Sequence, residues 1–425
     1  MSKNTKDVVE DKDYSLERVP VTARKGFWPM FFIMLGFTFF SASMSVGAKL
    51  GIGLNLQGFI WAVLIGSIVL GAYTGVLGYI GSHTGMSLDL LAQHSFGKKG
   101  SYLPSALISF TQIGWFGVGA AMFAIPAAEV LHVSPVVLVV IAGACMTLSA
   151  YRGIEGLQIV SYISVPLIAV LGIYSMCLAI SQGGGLAAVF AKSQGTLTIA
   201  GGAGLVIGSF VSGGTATPNF TRYAKTNKIA IVTTVIAFFL GNALMFAFGA
   251  TGGAFTGKDD IFYVMIAQGL TVPALIALGA NIWTTNDNAL YTSGLGLSNI
   301  TKVRKKPMVV IAGIIGTVLS IWLYNNFVGW LNFLNAAGRL LPSIAGNDAL
   351  LLVRTSLMTS FAVAEDMLCH QTFCQRSQSK RREERQRGNN ENDENEQANE
   401  QLVVGLHRAG GLRHDILLGQ RAGQA

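Results

Sequence analysis

The stretch that decides the fold is GGAGLVIGSFVSGGTATPNF, residues 201–220. It lies in an apolar region, yet it is dense in glycine up to residue 214 and continues into serine, threonine and Pro218. Glycine weakens a helix and bares its backbone, and proline removes a backbone donor. Inside a membrane, unpaired backbone is tolerated only where it is buried in protein or lines a cavity. The stretch therefore predicts an interrupted helix beside a buried cavity.

A second stretch of the same kind, MLGFTFFSASMSVGAKLG, occupies residues 34–51. It forms most of the first apolar span of the chain, whereas residues 201–220 belong to the sixth. Two interrupted spans five helices apart are typical of transporters with inverted five-helix repeats, in which substrate and ions bind at the breaks. The alternative is that the small residues serve only close helix packing. The pattern favours the repeat, with binding at the two breaks.

The composition places the chain in the integral-membrane class. Of its 425 residues, 51% are hydrophobic and 12% are charged, and the mean hydropathy is +0.50; a soluble protein carries about 25% charged residues. Cys145 and Cys177 lie in apolar runs and are predicted to be small core residues without a disulfide. A membrane-spanning helix needs about 20 mostly apolar residues. This length predicts spans at 27–47, 58–81, 103–127, 134–150, 157–181, 200–217, 229–255, 270–297 and 308–324, with a weaker tenth at 327–345.

The loops predict the orientation. With the N-terminus inside, the inner segments hold sixteen Lys and Arg residues and the outer loops hold three. Cytoplasmic loops of membrane proteins are enriched in positive charge, so we expect a cytoplasmic N-terminus. The expected organisation is a cytoplasmic N-terminal tail (1–25), a transmembrane transporter domain (26–345) and a polar C-terminal tail (346–425) that is disordered or frameshifted.

The eighth span carries an unusually polar run, NIWTTNDNALY, residues 281–291. One helical turn separates Asn281 from Thr284 and Thr285, so the Asn281 carbonyl and both hydroxyls approach one point. Neutral oxygen ligands suit a small alkali cation without a buried negative charge. The alternative is that the hydroxyls bond back to their own helix. The pair of threonines beside three asparagines, facing a broken helix, favours a cation site.

The third span contains SFTQIGWFGVGAAMF, residues 109–123. Gln112 and Trp115 are three residues apart and therefore share a helix face. An amide beside an indole suits a flat, polar, aromatic ligand, which needs stacking and hydrogen bonds to its edges. Phe210 in the sixth span is the candidate for the opposite face. A lone tryptophan more often packs at an interface, but Gln112 beside it favours ligand binding.

Titratable groups argue against membrane enzymology. Asp287 is a carboxylate within a span, and such residues are functional by default; it is expected either to relay a proton or to tie helices together, and the sequence leaves both open. No nucleophile–histidine pair or metal cluster is predicted within the spans, so no catalytic residue is assigned. The histidines fall in loops, span ends or the tail: His83, His94, His132, His370, His407 and His414.

Several longer runs carry a family resemblance. They are LGFTFFSASM (35–44), TQIGWFGVGAAMFAIP (111–126), FFLGNALMFAFGA (238–250), VMIAQGL (264–270), NIWTTNDNALYTSGLGLSNIT (281–301) and LYNNFVGWLNFL (323–334). From about Arg18 to Ala337 the chain resembles the purine–cytosine permease type of the nucleobase–cation symporter family. The resemblance implies an all-α membrane protein with LeuT-type inverted five-helix repeats and discontinuous first and sixth helices. It further implies cation-coupled symport of cytosine by alternating access, in the bacterial cytoplasmic (inner) membrane.

The resemblance also implies roles for single residues. For the cation, sodium or alternatively a proton, the ligands are the carbonyls of Gly36, Phe39 and Asn281 and the hydroxyls of Thr284 and Thr285. Trp115 and Phe210 sandwich the base. Its polar edges meet Gln112, Ser209, Ser212 and Asn286. Besides the base, the cation and the lipid bilayer we expect no partner: no cofactor, no nucleic acid and no obligate protein.

The resemblance stops inside a helix after Ala337. Residues 376–401 are dense in Arg, Glu, Asn and Gln, a composition typical of disorder. A frameshift near Ala337 is the favoured explanation, and a regulatory tail is the alternative. The last helices are therefore expected to be atypical or missing. The competing functions are a permease for another nucleobase, hydantoin or allantoin; a membrane protein that does not transport, either a base-binding sensor or a truncated permease; and a passive channel.

Overall fold

The computed structural model of the protein describes residues 13–258 and 261–326. The regular structure of these residues is helical apart from a parallel bridge between Lys25 and Ala224. A 3-10 turn, Val21–Ala23, precedes the helices, and a π-helical segment, Ile236–Gly241, joins α11 to α12. The helices are α1 (Phe27–Thr38), α2 (Ser41–Gly53), α3 (Leu56–Thr84), α4 (Leu88–Gly100), α5 (Tyr102–Leu131), α6 (Pro135–Tyr151), α7 (Ile154–Gln182), α8 (Leu186–Phe190), α9 (Ile199–Thr215), α10 (Thr217–Thr221), α11 (Asn227–Val235), α12 (Asn242–Thr256), α13 (Ile261–Ala267), α14 (Thr271–Thr301) and α15 (Lys305–Asn325).

The nine spans predicted between residues 27 and 324 each coincide with a helix, a bent helix pair or the composite α11–α12 helix. Five helices in the described part of the chain are long and apolar enough to cross a membrane, and two bent pairs raise that number to seven. The other two spans are α6, which has 17 residues, and α14, which carries the polar run. The chain is thus an all-α, multi-pass membrane protein. The predicted tenth span, the C-terminal tail and the predicted frameshift lie outside the described residues.

The first and sixth spans are interrupted, as predicted. α1 and α2 meet at 54°, and the sixth span bends by 48° between Val211 and Gly213. At the end of α1 the Thr38 hydroxyl donates to the carbonyls of Met34 and Leu35, at 3.4 and 3.2 Å. The last carbonyls of a helix have no partner within the helix. The breaks therefore place backbone oxygens in the middle of the bundle.

The helices pack in two groups, with α7 against both. The broken-helix group consists of α1, α2, α3, α9, α10, α11 and α12, in which α2 packs on α12 and α3 packs on α9, α10 and α11. The α5–α14 group consists of α5, α6, α14 and α15. α1 and α2 contact α14, so the first break faces the polar run of the eighth span.

Glycine makes the contact between α2 and α12 possible. A β-carbon at Gly47 would overlap the backbone of Phe246, and one at Gly249 would overlap the carbonyl oxygen of Met44. In lipid, helices associate through such close packing because apolar burial gives little drive. Within the broken-helix group, α2 and α12 are therefore joined backbone to backbone.

Gly249→Ala is expected to destabilise the folded protein, because the new methyl group overlaps main chain that cannot rotate away. Overpacking of this kind costs about 1–3 kcal/mol. Gly204→Ala is the matched control, since a β-carbon there meets nothing within 4 Å and alanine is the better helix former. Thermal aggregation of the detergent-purified variants measures the difference. A Gly249→Ala protein as stable as the Gly204→Ala protein would contradict this packing argument.

The structure differs from two expectations. Cys145 and Cys177 were expected in the core and are exposed; this prediction is wrong because an apolar run cannot distinguish a core face from a lipid-facing one. Residues 13–25 belong to the predicted N-terminal tail, yet Asp13, Ser15 and Val19 are buried. This segment packs at the basic end of the bundle, which we define as the end where Lys25, Arg152, Arg222 and Lys305 lie.

Candidate functional site

A small cavity lies where the two breaks face α5 and α14. Its free volume is about 30 Å³, far below the roughly 150 Å³ of a cavity that holds a benzene ring. A ring-sized ligand therefore enters only after the walls move. The lining residues are Phe37, Phe40, Gln112, Trp115, Ser209, Phe210, Gly213, Thr285, Asn286 and Ala289.

The cavity brings together five of the six residues predicted to contact a base: Gln112, Trp115, Ser209, Phe210 and Asn286. The sixth, Ser212, lies in α9, and its side chain is outside the described part of the structure. Elements distant in sequence supply these residues, since α5, α9 and α14 each contribute at least one. The structure thus assembles the predicted set at one place.

The polar groups of this set differ in how they are held. The Asn286 amide is fixed, because its Nδ2 donates to the Phe116 carbonyl at 3.1 Å and to Met146 Sδ at 3.3 Å. Ser209 Oγ donates to the Val206 carbonyl at 2.8 Å and still has lone pairs to accept with. Gln112 is 4% exposed, and within residues 13–258 and 261–326 its amide has no hydrogen-bond partner. An amide offers both donors and acceptors, so Gln112 is available to a ligand edge.

Phe40 stands edge-on to both predicted stacking residues. Its ring centroid lies 5.9 Å from Trp115 at an interplanar angle of 86°, and 6.3 Å from Phe210 at 88°. Phe37 also meets Phe210 edge-on, at 5.3 Å. The Phe40 ring therefore packs against both predicted stacking residues in this conformation. Phe37 and Phe40 were not predicted to line the site, because phenylalanines in an apolar span carry no signal beyond hydrophobicity.

Four of the five predicted cation ligands also meet, between the break after α1 and the helix α14. Thr285 Oγ1 lies 3.3 Å from the carbonyl oxygen of Phe39 and 3.3 Å from that of Asn281. Thr284 Oγ1 lies 2.9 Å from the Asn281 carbonyl oxygen. Gly36, three residues before Phe39, is buried. A β-carbon at Gly36 would overlap Ser161 Oγ. In each of these contacts the threonine hydroxyl donates a hydrogen bond to a carbonyl. Rotation of the two hydroxyls would let their oxygens and the two carbonyl oxygens point at one ion.

Asn281 ties the start of α2 to this point. Its Oδ1 accepts from Ser41 Oγ at the start of α2, at 2.5 Å, while its buried Nδ2 has no partner among the described residues. Thr285 belongs to both assemblies, because it lines the cavity and also bonds the Phe39 and Asn281 carbonyls. The base set and the cation set therefore share one side chain.

Asp287 points away from the cavity. Its Oδ1 accepts from Ser149 Oγ of α6 at 2.7 Å, and the same hydroxyl accepts from Trp283 Nε1 at 2.9 Å. Its Oδ2 is buried without a partner among the described residues. This geometry ties α14 to α6, which is one of the two roles expected for Asp287; the geometry does not test the proton-relay role.

The sequence of the chain is similar to that of known permeases. A family profile described as "Permease for cytosine/purines, uracil, thiamine, allantoin" matches residues 18–353. The cytosine permease of Escherichia coli strain K12 is 52% identical over 338 residues, which cover 79% of this chain and 80% of the relative. The cytosine permease of Escherichia coli O157:H7 matches with the same figures.

Solved structures show the fold. Mhp1, a nucleobase-cation-symport-1 family transporter in a closed conformation with bromovinylhydantoin bound, aligns with a TM-score of 0.67 and 16% identity, covering 82% of this chain and 94% of Mhp1. A Na⁺-coupled sialic acid symporter aligns with a TM-score of 0.63 and 15% identity, covering 81% of this chain and 90% of the symporter. The predicted LeuT-type architecture is thus confirmed.

Proposed function

The chain belongs to the family of permeases for cytosine, purines, uracil, thiamine and allantoin, and from that membership and the cavity we propose that it imports cytosine together with a cation. It is a permease and not an enzyme, as are its relatives. The observation that carries the proposal is the assembly of Gln112, Trp115, Phe210 and Asn286 around one cavity at the breaks.

The chemistry of the lining supports a neutral ring as substrate. None of the ten lining side chains carries a charge. Two aromatic faces supply stacking, and two amides and a serine supply donors and acceptors for the edges of a pyrimidine. An amino acid would need groups that answer its carboxylate and ammonium. Burying those charges without partners is costly, so a neutral base fits this cavity better.

Sodium is the proposed coupling ion, with a proton as the alternative. The Phe39, Asn281, Thr284 and Thr285 oxygens are neutral and hard, as an alkali cation requires. A cation there joins α1 to α14, and Thr285 extends from that point into the cavity. Each ligand then stabilises the geometry that the other uses, so each raises the other's affinity by the same factor.

The proposed orientation places the basic end in the cytoplasm of a bacterium, with the protein in the cytoplasmic membrane. Positive charge at one end of the bundle supports this placement. Import then runs toward the end at which residues 13–25 are packed.

Equilibrium binding to the purified protein tests the proposal. Labelled cytosine is titrated in sodium chloride and in choline chloride at equal ionic strength. We expect sodium to tighten cytosine binding within the about 5- to 150-fold range of typical coupling, and cytosine to tighten sodium binding by the same factor. Equal cytosine affinity in both salts would contradict sodium coupling, and no cytosine binding in either would contradict the base site.

Competition identifies the substrate. Unlabelled purine bases, hydantoin and allantoin are tested against labelled cytosine. A competitor that displaces the label at lower concentration than cytosine itself would replace cytosine as the proposed substrate. Tight binding without uptake in cells would instead support the non-transporting alternative.

A further inference from the structure

The N-terminal segment supplies a buried carboxylate to the basic end. Asp13 is 3% exposed, although its neighbours from Leu16 to Arg18 are exposed. Val19, six residues later, donates its backbone N–H to the Gly85 carbonyl at 2.8 Å. A polar segment gains little by burying its charge in this way unless the charge is paired.

The Asp13 carboxylate joins two helix starts. Its Oδ2 lies 2.8 Å from Nζ of Lys305, the first residue of α15, which is fully buried. Its Oδ1 accepts from the backbone N–H of Ile154, the first residue of α7, at 3.2 Å. Gly153 has a positive φ of 76°, and a β-carbon there would overlap this carboxylate. The positive end of the α7 dipole and the Lys305 ammonium thus both neutralise Asp13.

The backbone around Asp13 joins a third element. The Asp13 carbonyl accepts from Arg222 Nη2 and from the Tyr223 hydroxyl, both at 2.8 Å, and the Tyr14 carbonyl accepts from Arg222 Nη1 at 2.8 Å. Arg222 directly follows α10 and is fully buried. It also donates to the hydroxyl of Tyr291 in α14, at 3.0 Å. In the sequence, Arg222 and Lys305 are two of the sixteen basic residues of the inner segments.

The three residues Asp13, Arg222 and Lys305, which we call the Asp13 bridge, therefore connect the two helix groups. Arg222 belongs to the broken-helix group, Lys305 belongs to the α5–α14 group, and Asp13 touches both. In transporters with inverted repeats, alternating access moves one group against the other around a fixed site. Opening the basic end requires these groups to separate there, and separation without replacement leaves buried charges unpaired.

We propose that Asp13 is a positioning residue of the transport cycle. Its ion pair with Lys305 keeps the basic end closed in this conformation, and the pair breaks when that end opens. The inference rests on the proposed transport function and adds a gate to it. The alternative is that the Asp13 bridge only stabilises the fold, and does so equally in every conformation. The two accounts differ in one respect: only a gate changes the access to the cavity from the basic end when it is weakened.

Accessibility of the cavity tests the gate. Ala289→Cys is introduced on a chain whose four cysteines are replaced by serine, and a membrane-impermeant maleimide is applied to inside-out vesicles. Asp13→Asn keeps the shape and the backbone bonds but removes the charge that pairs with Lys305. We expect labelling from the basic end to become about tenfold faster in Asp13→Asn, because the closed state loses an ion pair that the open state does not use.

Glu17→Gln is the matched control, since Glu17 is an exposed acid on the same segment; it is expected to label as the parent does. If Asp13→Asn protein that elutes as folded in size-exclusion chromatography is labelled at the parent rate, the gate is overturned and the Asp13 bridge only stabilises the fold. The readout needs no substrate. A parent that fails to take up cytosine therefore counts against the proposed function, while the labelling ratio still decides the gate.

A second measurement covers the case in which Asp13→Asn does not fold. Ser15 Oγ accepts from the backbone N–H of Lys305 at 3.2 Å, so residue 15 lies beside the start of α15. Ser15→Cys and Arg304→Cys are joined by a reducible bifunctional thiol reagent in the same cysteine-free background. We expect cross-linking to slow labelling of Ala289→Cys from the basic end about tenfold and reduction to restore it. Unchanged labelling of the cross-linked protein would overturn the proposal.

Discussion

Trp115→Ala is expected to weaken cytosine binding about 5- to 150-fold. Stacking of one base on an aromatic side chain is worth about 1–3 kcal/mol, and each 1.4 kcal/mol is about a factor of ten in affinity. Trp115 lines the cavity and touches Phe40 edge-on. Its loss removes one stacking face and also removes the edge-on contact that supports the Phe40 ring.

The measurement is equilibrium binding of labelled cytosine at saturating sodium, so that a change in cation affinity does not contribute. Trp322→Ala is the control, because Trp322 is 61% exposed on α15 and lines no part of the cavity. We expect the control to bind as the parent does. If Trp115→Ala bound cytosine with the parent's affinity, the stacking face would have to be another residue and the base site described here would be wrong.

Thr285→Val is expected to raise the sodium concentration for half-maximal cytosine uptake about 10- to 150-fold. Valine keeps the shape of threonine and removes the hydroxyl that meets the Phe39 and Asn281 carbonyls. A hydrogen-bonding contact to a charge is worth about 1.5–3 kcal/mol, which corresponds to that range. At saturating sodium the maximal rate is expected to recover, since Gln112 and Trp115 are untouched.

Thr301→Val on the same helix is the control, because Thr301 is exposed at the end of α14, where its hydroxyl donates to the Leu297 carbonyl and to Met308 Sδ and lines no part of the cavity. A sodium requirement that is the same in Thr285→Val, Thr301→Val and the parent would remove Thr285 from the cation site. A loss of cytosine binding that no sodium concentration restores would place Thr285 in the base site alone.

The breaks and the helix order were predictable from the sequence because they depend on local chemistry. Glycine-rich residues 201–214 and the mixed stretch 34–51 weaken a helix wherever they occur, and apolar length fixes the spans. Gln112 and Trp115 were also predictable as a pair, since they share a face at fixed helical spacing, whereas the base contacts of Ser209 and Asn286 followed only from the family resemblance. The contact between Thr285 and the Phe39 carbonyl, which lie 246 positions apart, followed only from the family resemblance.

What the sequence missed depends on which side of a helix meets which neighbour. Cys145 lies in an apolar run that is exposed on one face, and no periodicity separates lipid from core when both are apolar. Phe40 looks like any apolar residue until its ring is seen between Trp115 and Phe210. Arg222 and Lys305 look like loop charges, and their burial depends on Asp13, which lies about 210 and 290 positions away in the chain.

The most direct test of the central claim is uptake of labelled cytosine by bacteria that lack their own permease and express this chain. It is measured with a sodium gradient and with choline in its place. A chimera that carries the Escherichia coli cytosine permease sequence after Ala337 is measured beside it, so that the C-terminal stretch is tested separately. We predict sodium-stimulated uptake by this chain and by the chimera. Uptake that ignores the sodium gradient, or no uptake by the chimera despite its presence in the membrane, would contradict sodium-coupled cytosine import.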